Sequence, residues 1–278
     1  MLNKTVVLVV SLLFLGTAAV AQDLPAVSAF SPQGTVKKVR QARATFNQAM
    51  VPFGDPRAAV DPFDIGCSEA GRGRWVDPRN WVYDFERDLP AGVRCSFRLR
   101  PGLRSLAGTE VAGPSDFAFS TGGPAIRRSI PHAGQKGISE DQVFILVLDG
   151  APDETTVATR AGFAVSGIQQ RVGARIVTGE DREAILAAHR WLFNDGTARE
   201  QVLLLQCRQR FPQKAQVSLV WGKGVAAVSG VATEQDQILR FETRENFIAE
   251  FSCERENARA GCIPVLPMTL SFNAPLNT

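Results

Sequence analysis

The sequence predicts a mainly β chain built as tandem β-sandwich modules, the second carrying a short helical insertion. Three observations lead there. The 278 residues include 24 glycines and 16 prolines, spaced roughly every ten positions, as a chain of many short strands requires. Between them apolar and polar residues alternate with a period of two, the mark of strands buried on one face. Finally, one pattern recurs. Ser31-Pro32-Gln33-Gly34 leads to a strand ending in Phe46-Asn47; Ile130-Pro131-His132-Ala133-Gly134 leads to residues 143–152; and Met268-Thr269-Leu270-Ser271-Phe272-Asn273 starts the pattern again.

Module one, residues 22–122, opens with a strand before the Ser-Pro-Gln-Gly turn. In the next strand Ala42, Ala44 and Phe46 face one way, while Gln41, Arg43 and Thr45 face the other. A Pro-rich loop (51–62) precedes a hairpin, Arg74-Trp75-Val76 and then 81–85, joined by Asp77-Pro78-Arg79-Asn80. Proline after aspartate presets that turn, and the aspartate can accept from the backbone two residues on. The turn at Leu89-Pro90-Ala91-Gly92 leads into a strand at 93–99, a last strand spans 117–121, and Gly122-Gly123 marks the boundary. Seven or so short strands in about a hundred residues predict an immunoglobulin-like sandwich.

Module two, residues 123–246, begins with the second copy of the pattern. Its strand at 143–148 is apolar throughout, which predicts burial on both faces. Setting Phe46 on Leu148 places Ala44 on Leu146 and Ala42 on Phe144, a divergent repeat. Thr178-Gly179-Glu180-Asp181 has the spacing of a capping box, and residues 183–193 predict a helix that Asn194-Asp195-Gly196 ends. Strands follow at 202–207, 217–221 and 238–243. In the tail, 247–278, Met268, Leu270 and Phe272 share one face of a strand. It either adds to module two or opens an absent third module, and the second alternative makes the chain a truncated or split product.

The leader, cysteines and charge bound the function. Residues 1–21 hold one lysine, a short apolar run and Ala19-Val20-Ala21, a secretory signal peptide with cleavage after Ala21. This predicts a periplasmic or secreted protein, and no other stretch is long and apolar enough to span a bilayer. Cys67 lies in phase with Phe63 and Ile65, and Cys95 with Val93, Phe97 and Leu99, so both point into one core and predict a disulfide. Cys253 and Cys262 flank a polar loop and form the second pair, leaving Cys207 over. With two histidines and no ligand spacing, no metal site is predicted. Lys and Arg total 31 against 28 Asp and Glu. The short runs Arg127-Arg128 and Arg208-Gln209-Arg210 make no nucleic-acid stripe.

Catalytic motifs are missing. There is no Gly-x-Ser-x-Gly, no phosphate loop and no His-Glu-x-x-His; Trp221-Gly222-Lys223-Gly224 reads as a turn. His132 and His189 have no partner motif. The expectation is therefore a non-enzyme without cofactor. A rival reading makes Trp75 and Trp81 a stacking surface on an envelope- or glycan-binding adhesion module, although the alternation assigns half of the aromatic set to the core.

With those residues in place, module one resembles bacterial immunoglobulin-like domains of the surface-layer type, through Ser31-Pro32-Gln33-Gly34, Phe46-Asn47-Gln48-Ala49-Met50 and Phe117-Ala118-Phe119-Ser120-Thr121. A narrower resemblance covers nearly the whole mature chain. Gly73-Arg74-Trp75-Val76-Asp77, Asn80-Trp81-Val82-Tyr83-Asp84, Leu89-Pro90-Ala91-Gly92-Val93 and Phe251-Ser252-Cys253-Glu254-Arg255-Glu256-Asn257 look like the amino-terminal region of bacterial alpha-2-macroglobulins, periplasmic protease traps. The resemblance implies export, a modular fold, and as partners the remaining macroglobulin-like domains or a host or competitor protease. The family's thioester needs Cys-x-Glu-Gln. Here Ala232 stands two before Glu234-Gln235, and Cys253-Glu254-Arg255-Glu256 lacks the glutamine, so the trapping chemistry transfers to no residue.

Overall fold

The computed structural model describes residues 23–54, 60–245 and 247–273; the leader at 1–21 lies outside them. Module one is a sandwich of two four-stranded sheets. The first holds β1 (Val27–Ser31), β3 (Gln41–Phe46), β6 (Asn80–Phe85) and β5 (Gly71–Asp77), in the order β1-β3-β6-β5. The second holds β2 (Gly34–Thr35), β8 (Asp116–Ser120), β7 (Arg94–Leu99) and β4 (Phe63–Cys67), in the order β2-β8-β7-β4. Pro32 has no N–H for the ladder, and there the chain leaves the first sheet and joins the second, with β2 parallel to β8. Small residues on β3 face large ones on β6: Ala44 stands opposite Trp81 and Ala42 opposite Tyr83. That alternation leaves room for Phe30, Phe46, Phe63, Trp81, Phe97 and Phe119 to pack together in one core. The Asp77 turn forms as its sequence suggests. Its Oδ1 accepts from the Arg79 and Asn80 N–H groups (2.8 and 2.9 Å), and these bonds hold the carboxyl below the usual carboxylate range.

Module two repeats this topology with its two halves joined. The strands are β9 (Ile126–Ile130), β10 (Lys136–Ile138), β11 (Val143–Leu148), β12 (Ala161–Val165), β13 (Val172–Ile176), β14 (Val202–Cys207), β15 (Gln216–Trp221) and β16 (Gln237–Thr243). They form one eight-stranded sheet, β10-β16-β15-β12-β13-β14-β11-β9. Replacing β9-β11-β14-β13 by β1-β3-β6-β5, and β10-β16-β15-β12 by β2-β8-β7-β4, recovers module one; the difference is that β12 pairs with β13. The sheet folds at that hairpin, so Phe144, Leu146 and Leu148 of one half pack against Phe163, Leu219, Trp221 and Phe241 of the other. Gln237 bridges the two halves, its side-chain amide both accepting from Ile126 N–H and donating to Ile126 C=O (2.8 Å each).

Two helices lie between strands of module two. The first, α1 (Glu154–Arg160), was not anticipated from sequence; it starts where Asp153 Oδ1 accepts from Thr155 N–H (3.0 Å). The second, α2 (Gly179–Ala188), continues as a 3-10 turn at Arg190–Phe193. The expected capping box does not form: Thr178 is the N-cap but its side chain makes no capping bond. The residue three positions on is Asp181, one methylene shorter than the Glu or Gln the motif uses. Val177, Leu186 and Leu192 cover the outer side of Ile145, Val147, Val202 and Leu204. This explains why β11 is apolar on both faces.

Both modules close with the same threonine. Thr121 Oγ1 donates to Pro90 C=O (2.7 Å) and accepts from Val93 N–H (2.9 Å), across 31 and 28 residues. Thr243 Oγ1 donates to Pro212 C=O (2.7 Å) and accepts from Ala215 N–H (2.8 Å), again across 31 and 28 residues. The backbone between is held by Gly92 (φ 91°) in one module and Lys214 (φ 54°) in the other. The repeat therefore runs to the end of each module.

Candidate docking surface

The tail forms a separate strand pair, β17 (Ala249–Cys253) and β18 (Met268–Phe272), in a two-stranded sheet of its own. Its geometry is that of the first strand pair in each complete module. Phe46 opposes Val27 in module one, Leu148 opposes Ile126 in module two, and Phe272 opposes Ala249 here. Further along, Ala44 faces Phe30, Leu146 faces Ser129, and Leu270 faces Phe251. The first two pairs carry a bulge that the third lacks. This is the register derived from sequence, Phe46 on Leu148, now with Phe272 in the same place.

A side-chain clasp marks the residue after each second strand. Asn47 Oδ1 accepts from Ala26 N–H (2.8 Å) while its own N–H donates to Ala26 C=O (3.1 Å). Asp149 makes the same two bonds to Ala125 (2.7 and 3.1 Å). Asn273 makes them to Ile248 (2.9 and 3.3 Å). Asn and Asp both carry a side-chain oxygen at that reach.

Burial separates the third pair from the others. Phe30, Ala42, Ala44 and Phe46 lie in the core of module one, and Phe144, Leu146 and Leu148 in that of module two. Phe251, Met268, Leu270 and Phe272 hold the equivalent positions and are 55%, 51%, 54% and 38% exposed. Glu250, Ser252, Thr269 and Ser271 make the opposite, polar face. A two-stranded hairpin is marginal by itself. Here Cys253 and Cys262 are disulfide-bonded and close the loop beside it.

The two complete modules are tied by a built junction. Lys37 Nζ donates to Gly123 C=O (2.6 Å) and pairs with Asp149 Oδ2 (2.9 Å). Asp149 C=O accepts from Ala91 N–H (3.0 Å), and Ser229 Oγ donates to Gly92 C=O (2.5 Å). Gly123 is required by close approach, since a Cβ there would stand 2.2 Å from Thr233 N. Thr35, Arg94 and Ser120 on one side and Ala232 and Glu234 on the other bound a cleft of about 290 Å³. Thr35 Oγ1 donates to Glu234 Oε1 across it (2.6 Å). The cleft's other hydroxyl, Ser120 Oγ, accepts from Gly122 N–H (3.0 Å).

The predicted site residues fall as follows. Cys67 and Cys95 are direct partners on β4 and β7 and are disulfide-bonded. Trp75 and Trp81 do not form a stacking surface, and that expectation is corrected here. Both are buried: Trp75 against Phe46, and Trp81 fully enclosed beside Phe63 and donating to Asp61 Oδ1 (3.2 Å). They are directly paired on β5 and β6, so both point into the sandwich. Cys207 is a free buried thiol, and burial pushes its pKa up, away from thiolate chemistry. His132 is exposed on a loop, and His189 Nδ1 contacts Ile185 C=O (2.8 Å) at the end of α2. Lys223 N–H donates to Asp236 Oδ1 (2.6 Å) in a turn. A second Glu-Gln pair, Glu200-Gln201, has Ala198 two positions before it. Among the described residues no three of His, Cys, Asp and Glu gather as metal ligands, and no helix is long and apolar enough to cross a membrane.

No protein-family model and no curated protein matches the chain. Among solved structures it is similar to an L,D-transpeptidase from Mycobacterium tuberculosis H37Rv, at 18% identity over 55% of this chain and 65% of that one, with a TM-score of 0.26. It is also similar to the N-terminal part of the bacterial S-layer protein SbsC, at 12% identity over 79% of this chain and 44% of that one, with a TM-score of 0.25. The chain spans less than two thirds of the length of either. Likeness at this level says nothing about activity.

Proposed function

We propose that this chain is an exported, non-catalytic β-module scaffold corresponding to the amino-terminal part of an alpha-2-macroglobulin-type endopeptidase inhibitor. It acts by joining other β-modules, not by chemistry of its own. The single observation that carries the docking role is the third strand pair, which has the register and clasp of a module start yet presents its core face to solvent. The leader pattern and two disulfides support export. The motifs around Trp75, Trp81 and Cys253 support the macroglobulin reading, and no Cys-x-Glu-Gln stands among the 278 residues, so the reading gives none of them a covalent trapping role. With Trp75 and Trp81 buried, the adhesion alternative has lost the surface it named.

Purification of the mature chain from the native periplasm under non-denaturing conditions tests this reading. The expected result is co-purification with a polypeptide carrying Cys-x-Glu-Gln and further macroglobulin-like domains. The chain alone should neither inhibit a panel of endopeptidases nor hydrolyse peptide, ester or glycan substrates. Turnover by the chain alone, or recovery only with envelope polymer, would overturn it.

A further inference from the structure

We infer that the cleft between the two complete modules binds a small zwitterion, an α-amino acid or a short peptide with both termini free. Two opposite charges line that cleft without pairing. Arg94, Ser120 and Thr35 are direct partners across β7, β8 and β2, so their side chains form one row on the outer face of the second sheet. Two strand spacings set the Arg94 and Thr35 backbones about 10 Å apart. At one end of the row Thr35 Oγ1 holds the Glu234 carboxylate (2.6 Å). At the other end Arg94 has no hydrogen-bond or ion-pair partner among the described residues. Its neighbours differ: Arg74, Arg87, Arg98 and Arg100 each meet a carboxylate at 2.7–3.0 Å. Lys37, the other cation of the junction, is engaged by Asp149 and Gly123.

This arrangement selects the ligand. A simple anion would meet the Glu234 carboxylate and a simple cation the Arg94 guanidinium, whereas a zwitterion complements both. Its carboxylate takes the Arg94 guanidinium and the hydroxyl hydrogen of Ser120, whose Oγ already accepts from Gly122 N–H (3.0 Å). Its ammonium takes the Glu234 oxygen that Thr35 leaves free. Between these ends Gly34, Ala118, Val231 and Ala232 line the cleft, which suits small aliphatic side chains and limits the ligand to a few residues. The module-two wall is fixed in advance. Gly123 N–H donates to Ala232 C=O (3.1 Å) and Ala227 N–H to Val231 C=O (2.9 Å), so little chain has to be ordered on binding.

The site belongs to the junction alone. It is independent of the macroglobulin resemblance and of any docking partner.

The experiment titrates the isotopically labelled mature chain with alanine, alanyl-alanine and trialanine at low salt, following backbone amide NMR signals. We expect at least one of the three to shift the amides of residues 34–35, 94, 118–120 and 231–234 in a saturable way. The length that binds tightest reports the span between the two charges. N-acetylation or C-terminal amidation of that ligand should each weaken binding about tenfold or more. Arg94→Gln and Glu234→Gln should do the same, and the second keeps an acceptor for Thr35, so the wall stays in place. Arg98→Gln, on the same face of β7 and paired with Asp116, should leave binding unchanged.

Absence of saturable shifts with all three ligands, or saturable shifts only at other residues, overturns the proposal. So does equal binding of the blocked ligands, which test the two charges on the unaltered chain. Full-strength binding by either Arg94→Gln or Glu234→Gln overturns it as well.

Discussion

Phe30 and Phe251 hold the same place in two strand pairs, and their surroundings differ completely. Each sits on a first strand opposite an apolar residue of the second, Ala44 for Phe30 and Leu270 for Phe251. Each pair is closed by an asparagine clasp, Asn47 in one and Asn273 in the other. Phe30 is 6% exposed and stacks on Phe117 from the opposing sheet, whereas Phe251 is 55% exposed. Pairing register and clasp are thus local properties that two strands set between themselves. Burial requires strands that arrive much later in each complete module. The third pair meets the first requirement without the second, and the Cys253–Cys262 loop contributes roughly 3 kcal/mol toward holding it in the chain-entropy account.

The strongest way to break this comparison is to truncate equivalent cores. Trp81→Ala removes a fully buried side chain that packs on Phe63 and Phe97, and should destabilise module one by about 3–5 kcal/mol. Leu270→Ala removes a side chain that is 54% exposed and meets no opposing sheet among the described residues, and should stay within about 0.5 kcal/mol. Guanidinium unfolding followed by tryptophan fluorescence measures the first, and hydrogen exchange over 249–272 the second. A cost above about 1 kcal/mol for Leu270→Ala would mean the face is already covered.

A second test concerns the place where module two hands over to the strand pair. Glu140 is buried, and Arg244, which follows β16, donates to it from Nε (3.0 Å) and also from Nη2. The guanidinium holds the Glu140 carboxyl down at about 2, against 4.5 for the free group. A carboxyl lowered in the folded state contributes stability that is fully present above about 4.5 and is lost as pH falls toward 2. The contribution is on the order of 3 kcal/mol. Glu140→Gln should therefore flatten the pH dependence of module-two unfolding between those values. At neutral pH it should cost about 2–3 kcal/mol by leaving Arg244 half-buried and unpaired. An unchanged acid slope in the variant would assign that slope to other carboxylates.

The parts that were legible in the sequence are those whose partners lie a few residues away or repeat in phase. The alternation of Ala42, Ala44 and Phe46 and the uninterrupted run at 143–148 carried the register directly. The phase of Cys67 and Cys95 put them on one face, and β4 and β7 bring them opposite one another. The clasps were visible only as turn residues, because their partners stand 21 to 25 positions earlier. The threonine closures were hidden for the same reason: Thr121 and Thr243 reach back 31 residues, and little besides a proline and a phenylalanine repeats around them. Trp75 and Trp81 misled because an aromatic strand looks alike as platform or as core until the second sheet is placed. The short α1, with β12 and β13 after it, gave no sustained period to read.

The smallest effect separates the clasp from the junction. In the second of the three clasps the residue is aspartate, and its extra charge has a use that asparagine cannot serve: Oδ1 holds Ala125 N–H while Oδ2 pairs with Lys37 of module one. Asp149→Asn keeps the clasp acceptor and removes the ion pair, which is partly exposed and worth at most about 1 kcal/mol. Asp149→Ala removes both and should cost roughly 1 kcal/mol more, the loss of a backbone hydrogen-bond partner. The Asn variant's deficit should shrink as salt rises, because screening already weakens the wild-type pair; the further loss in the Ala variant should not. Melting temperatures of the three proteins at low and high ionic strength decide it. A salt-independent deficit in Asp149→Asn would show that the aspartate is needed for the fold of module two itself and not for holding the two modules together.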